Sequence, residues 1–165
     1  MIQYVKQKDL FRCVPIAFLN VLKWLEYKEF HGHRVNYRFM QTYLTDWLQC
    51  NAQEGGASWY LLYEKLKTLS DAKCTLVSDV RCWQPSKVVI SPDQICIIDY
   101  FVEDHLESHG HVATLMYYLK GLYTVINWEY NIKWSQVPYK KIHQRATAVG
   151  GIIIQKKDKN RCHFG

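Results

Sequence analysis

Cys13-Val14-Pro15-Ile16-Ala17-Phe18-Leu19-Asn20-Val21-Leu22-Lys23-Trp24-Leu25 sets apolar side chains at three- and four-residue steps, the spacing of an amphipathic helix. Pro15 suits the first helical turn, where its missing N–H is not needed. The helix therefore starts at Cys13 and holds a thiol at its N-terminus. The partial positive charge of such an end favours thiolate over thiol, and thiolate is the reactive form. Gln7, six residues upstream, supplies an amide able to stabilise an oxyanion formed beside that sulfur. Far downstream, His111 is followed sixteen residues later by Asn127, a base and a group able to orient it.

Composition bounds what surrounds these residues. A chain of 165 residues that is 48% hydrophobic has material for one substantial core, and a single domain over residues 1–165 is expected. The apolar runs are broken by charge before they reach bilayer-spanning length, and Met1-Ile2-Gln3-Tyr4-Val5-Lys6 lacks the layout of a secretion signal. The expectation is a protein without a membrane span, cytoplasmic or delivered to another cell without a cleaved signal peptide. Six cysteines at irregular spacings (Cys13, Cys50, Cys74, Cys82, Cys96, Cys162) read as free thiols in a reducing compartment. The net charge of +6 is spread along the chain, and its one cluster, Lys156 to Arg161, reads as a solvated tail. Aromatic residues are abundant, with Trp59, Tyr60, Tyr117, Tyr118, Trp128 and Trp134 among them, and most are assigned to the core. No nucleic-acid motif accompanies them, so no nucleic-acid partner is expected.

The hydrophobic period changes midway. Helical spacing covers Cys13 to about Glu26, about Tyr37 to Leu48 and about Ser58 to Leu69, a mainly helical part over 1–70. Over 71–165 the pattern becomes short β-branched and aromatic runs: Thr75–Val77, Lys87–Ile90, Gln94–Ile98, Val112–Leu119, Leu122–Trp128 and Gly151–Ile154. Gly55-Gly56 and Gly150-Gly151 read as turns, and His31 and His33 as solvent-exposed in a polar loop. Lys120-Gly121 is a tight-turn signal that sets His111 opposite residues near Tyr130, within a few positions of Asn127. A helical part carrying the thiol and a β part carrying the base then meet in a cleft, and the order Gln, Cys, His, Asn reads as a cysteine protease.

At these residues the chain resembles the papain-like cysteine peptidases, in its Gln-x5-Cys spacing, the helix that starts at the cysteine, and the later His-x15-Asn ending in Asn127-Trp128. Within that group it is most similar to the bacteriocin-leader, or double-glycine, peptidase branch. Cys13-Val14-Pro15-Ile16-Ala17 resembles that branch's Cys-Gly-Pro-x-Ala opening, and Gly110-His111-Val112-Ala113 its Gly-His followed by a strand. Trp134-Ser135-Gln136-Val137 and Gly151-Ile152-Ile153-Ile154 echo its last turn and closing strand. Val14 stands where the branch has glycine, narrowing the cleft near the scissile bond, and Asn127-Trp128 where it has Asp-Pro.

The resemblance implies an α+β papain-like fold and hydrolysis of a peptide or isopeptide bond in a protein or peptide substrate. Cys13 attacks as thiolate, His111 is its ion-pair partner and later the acid for the leaving amine, and Asn127 fixes the imidazole tautomer. Gln7 and the backbone N–H of Cys13 hold the oxyanion. Trp128 shields the Asn–His hydrogen bond, and no cofactor or metal is required. Three other readings stand beside this one. The fold can serve as an inactive protein-binding module, or the same triad can transfer the acyl group to an amine. His105, His109 and His111 with Cys82 or Cys96 can make a zinc site. His109 is the rival base, but Val125 stands where its orienting partner is needed.

Overall fold

The computed structural model describes residues 2–9, 11–71, 77–83, 90–103, 108–119, 122–128, 134–138, 140–142 and 146–157. The first helix, α1 (Cys13–Trp24), begins where the sequence places it. It differs from expectation in its surroundings. Every residue from Cys13 to Leu22 is buried, so the helix is enclosed on all sides and is not amphipathic. Tyr4 and Val5 pack into the same core on one side of it, and Thr114 Oγ1 donates to the Ala17 carbonyl at 3.5 Å on another.

The chain leaves α1 through a small hairpin, β1 (Glu29–Phe30) and β2 (His33–Arg34), where the sequence suggested a loop. His31 and Gly32 at its tip both take positive φ, 48° and 79°, as a two-residue hairpin turn of matching twist requires. The tip histidines are exposed, as expected, while Phe30, the last residue of β1, is buried and meets Phe18 edge-on at 5.4 Å. Asn36 then caps α2 (Tyr37–Phe39) by accepting from the Phe39 N–H at 3.0 Å. A π-helical turn (Met40–Leu44) and α3 (Thr45–Trp47) continue it, together filling the predicted Tyr37–Leu48 helix. The next helix, α4 (Trp59–Asp71), matches the third predicted one, and the change from helix to strand falls near residue 71.

Among the described residues, β3 (Val77–Trp83), β4 (Gln94–Glu103), β5 (Ser108–Leu119), β6 (Leu122–Ile126), β7 (Trp134–Pro138) and β8 (Ala146–Lys156) form one antiparallel sheet. The order is β3-β8-β4-β5-β6-β7. The fold is therefore α+β. β8 lies inside the sheet between β3 and β4, and Gly150-Gly151 is part of it, not a turn. The reason is close approach: Gly151 has φ of 147°, and a Cβ there would fall 1.9 Å from the Ile97 carbonyl oxygen. β7 is a strand where only a turn-like echo was expected, and its pairing of Val125 with Ser135 extends the sheet beyond β6. The predicted strand at Lys87–Ile90 lies outside the described residues apart from Ile90, which is buried, and the predicted Thr75–Val77 overlaps them only at Val77, the first residue of β3.

The sheet sends residues into two cores. Ile95, Ile97, Ile126, Ile152 and Ile154 join the core built on α1. Cys96, Ile98, Tyr100, Tyr123, Val125 and Ile153 form a second core with Trp128, Val137 and Ile142. Among the described residues no helix is long and apolar enough to cross a membrane.

Candidate functional site

Asp9 shapes the approach to α1. Its Oδ1 accepts from the Phe11 and Arg12 N–H groups at 3.1 and 2.9 Å, and its Oδ2 pairs with Arg12 Nη1 at 2.8 Å. Arg12 is the N-cap residue of α1 but caps it with no side-chain hydrogen bond, and no acidic residue sits in the first turn. The carboxylate at the positive end of the helix is thus Asp9, which lies before the N-cap and is itself paired with Arg12.

Cys13 is 9% exposed. The segment before it is also held by the loop after α3. Cys50 Sγ donates to the Phe11 carbonyl at 3.3 Å, and Asn51 and Gly56 form a bridge that closes the loop. Gly56 presses on the same carbonyl, where a Cβ would come to 2.6 Å, so glycine is required there for space as well as for its φ of 120°. Burial pushes the Cys50 thiol up to about 11, with Cys13 as a second, smaller cause, so Cys50 stays protonated beside its neighbour.

Gln7 is 1% exposed. Its backbone N–H donates to Asn127 Oδ1 at 2.8 Å across 120 residues of sequence, and its Nε2 donates to the Asp9 carbonyl. The opposite amide orientation would oppose two oxygens, so this one is fixed by chemistry. Gln7 Oε1 is buried with no hydrogen-bond partner among the described residues.

Asn127 follows β6 directly, in a left-handed conformation with φ of 58° that asparagine tolerates better than most residues. The structure shows it holding the N-terminal segment: Oδ1 takes the Gln7 N–H, and Nδ2 donates to the Val5 carbonyl at 3.1 Å. Asn20 holds the same residue from the other side. Its Oδ1 accepts from the Val5 N–H at 2.8 Å and its Nδ2 donates to the Val5 carbonyl at 3.0 Å. Two carboxamides thus do for residues 5–7 what a neighbouring strand would.

His111 lies in β5 directly across from Tyr100 of β4. The hairpin was correctly anticipated. Leu119 pairs with Leu122 around the turn, and a one-residue shift between Leu115 and Tyr117 sets Ile126 opposite Thr114, three residues from His111. The roles expected of the His111 and His109 side chains, and of His105, lie outside the described residues. Trp128 is stacked on Tyr100 with ring centroids 4.2 Å apart and planes 11° apart, and its carbonyl accepts from the Tyr100 hydroxyl. Val14 is fully buried in the α1 core, so it packs the interior and does not narrow a cleft.

Two residues escaped the reading of the sequence. Asn20 carries a signal, being a carboxamide in the middle of an apolar helix, where burial without hydrogen bonds would be costly. Asp99 is a carboxylate in the apolar run of β4, and burial pushes its pKa up to about 6. It pairs in register with Val112, next to His111. For a metal, Cys96 is a poor donor: it is wholly buried in the second core, and burial holds its thiol well above the usual range. Among the described residues no group of three or more His, Cys, Asp or Glu side chains is placed to hold a metal ion; Cys82 falls outside them as a side chain. No protein-family model and no curated protein sequence matches the chain.

Proposed function

We propose that this chain is a papain-like thiol peptidase, cleaving a peptide or isopeptide bond in a protein or peptide substrate. The observation that carries the reading is the hydrogen bond from the Gln7 N–H to Asn127 Oδ1. It joins two of the four residues nominated from sequence spacing alone, and through Asp9 and Arg12 the first of them is tied to the helix that begins at Cys13. In this reading the Cys13 thiolate attacks the carbonyl carbon and forms a C–S bond. The oxyanion is held by the Cys13 N–H and Gln7 Nε2. His111, in β5, protonates the departing amine as the C–N bond breaks, and water then resolves the thioester.

The test is the rate at which each cysteine is alkylated by iodoacetamide at mildly acidic pH, read by mass spectrometry. The wild type is expected to show one fast site, Cys13, slowed at least tenfold by His111→Ala and little by His109→Ala. Cys13 reacting no faster than the other five thiols would sink the peptidase reading and leave a non-catalytic binding fold.

A further inference from the structure

Val5 is gripped on both of its backbone polar groups by Asn20, and its carbonyl a second time by Asn127, which also takes the Gln7 N–H. Asn20 is completely buried and stands seven residues, two helical turns, beyond Cys13 on α1. Asn127 comes from the far end of the β5–β6 hairpin. The N-terminal segment has no strand partner of its own among the described residues. Its position relative to α1 is therefore set by two side chains, one from each half of the fold: both hold Val5, and Asn127 also holds Gln7.

We propose that Asn20 and Asn127 form a positioning clamp that fixes the register of the N-terminal segment and so places the Gln7 amide for the oxyanion beside Cys13. This rests on the peptidase reading, and it gives Asn127 a duty distinct from orienting His111. The two duties require different chemistry. Orienting an imidazole needs only an acceptor, which aspartate supplies. The clamp needs an acceptor for an N–H and a donor for the Val5 carbonyl, and a carboxylate has no donor. Asn20→Asp and Asn127→Asp keep the shape of the side chain and remove that donor.

The experiment compares two reactions of Cys13. With p-nitrophenyl acetate the thiolate forms a C–S bond to the acyl carbon, a tetrahedral oxyanion arises, and the C–O bond breaks to release p-nitrophenolate. With iodoacetamide the thiolate displaces iodide and no oxyanion forms. Asn20→Asp, Asn127→Asp and Gln7→Ala are each expected to slow the nitrophenolate burst about tenfold or more. In Asn20→Asp, which lies outside the nominated triad and oxyanion hole, the rate of alkylation and its pH profile are expected to stay near those of the wild type. Loss of both reactions in Asn127→Asp, with Asn20→Asp unaffected, would assign Asn127 to the imidazole and overturn the clamp.

Backbone exchange supplies a readout that needs no variant. The Val5 and Gln7 amides of the wild type are expected to exchange at least a hundredfold more slowly than unstructured amides. Fast exchange at both would overturn the clamp even if every variant failed to fold. A wild type whose Cys13 gives no burst and no fast alkylation would instead remove the peptidase reading, and the proposal with it.

Discussion

On the side of the sheet that meets α1, buried polar groups are interleaved with the isoleucines. Thr114 reaches the Ala17 carbonyl, and Asn20, Asn127 and Gln7 fasten the N-terminal segment nearby. On the far side Ile98, Tyr123, Val125, Val137 and Ile153 pack with the stacked Tyr100–Trp128 pair, where the Tyr100 hydroxyl donates to the Trp128 carbonyl. The far core is held by area and ring contact, which act without direction. The near side adds directed bonds that set where one strand of chain lies against another. Such bonds contribute less net stability than apolar burial of similar size, but they fail sharply when one partner is lost. Positional precision is thus concentrated on the side where Gln7 meets Asn127 and α1 begins.

The widest test of this contrast is Tyr123→Ala on the far side. It removes a fully buried ring and is expected to cost about 4 kcal/mol in urea unfolding. Its effect should be spread over the whole fold, leaving the ratio of the two Cys13 reactions unchanged in the remaining native protein. A smaller loss, about 2 kcal/mol, is expected for Asn20→Leu, which fills the space but orphans the Val5 N–H. There the exchange of amides 4–8 should rise by more than the global loss explains. Equal, uniform effects of the two variants would erase the distinction between the sides.

The smallest effect is electrostatic. Asp99 titrates near 6 in the folded protein because burial disfavours its charge, against 3.8 for the ordinary side chain. Between these values the folded state keeps a proton that the unfolded state has released. Stability therefore falls as pH rises from about 4 to about 6 and stays lower above. Asp99→Asn should leave stability at pH 3.5 nearly unchanged and raise it at pH 8 by about 1–2 kcal/mol, allowing for solvent screening of a partly exposed carboxylate. Urea unfolding at the two pH values checks the sign, and an unchanged pH slope in the variant would remove Asp99 as its source.

The start of α1 was legible in the sequence because its signals are local: Pro15 in the first turn and an unbroken apolar period from Cys13. The β5–β6 hairpin was legible for the same reason, since a tight turn fixes register for several residues on either side. What escaped depends on contacts remote in sequence. Nothing near Asn20 announces Val5 as its partner, and nothing near Gly151 announces the Ile97 carbonyl that forbids a side chain there. The enclosure of α1 is likewise invisible in its own period, because the polar Asn20 reads as part of a solvent face although it is fully buried. The pairing of Gln7 with Asn127 sits between these cases: order and spacing nominated both residues, while the bond that joins them belongs to the folded chain.

The place of β8 between β3 and β4 has a consequence for the order of assembly. While the chain is being synthesised, β3 and β4 present unsatisfied edges toward one another until residues 146–156 have left the ribosome and can enter the gap. Helix α1 and the β5–β6 hairpin can form early from neighbouring residues, yet the sheet that anchors them closes late, through contacts that span about half the chain. A nascent or truncated product would hold every nominated residue and still be an open sheet seeking a strand, prone to accept one from another molecule.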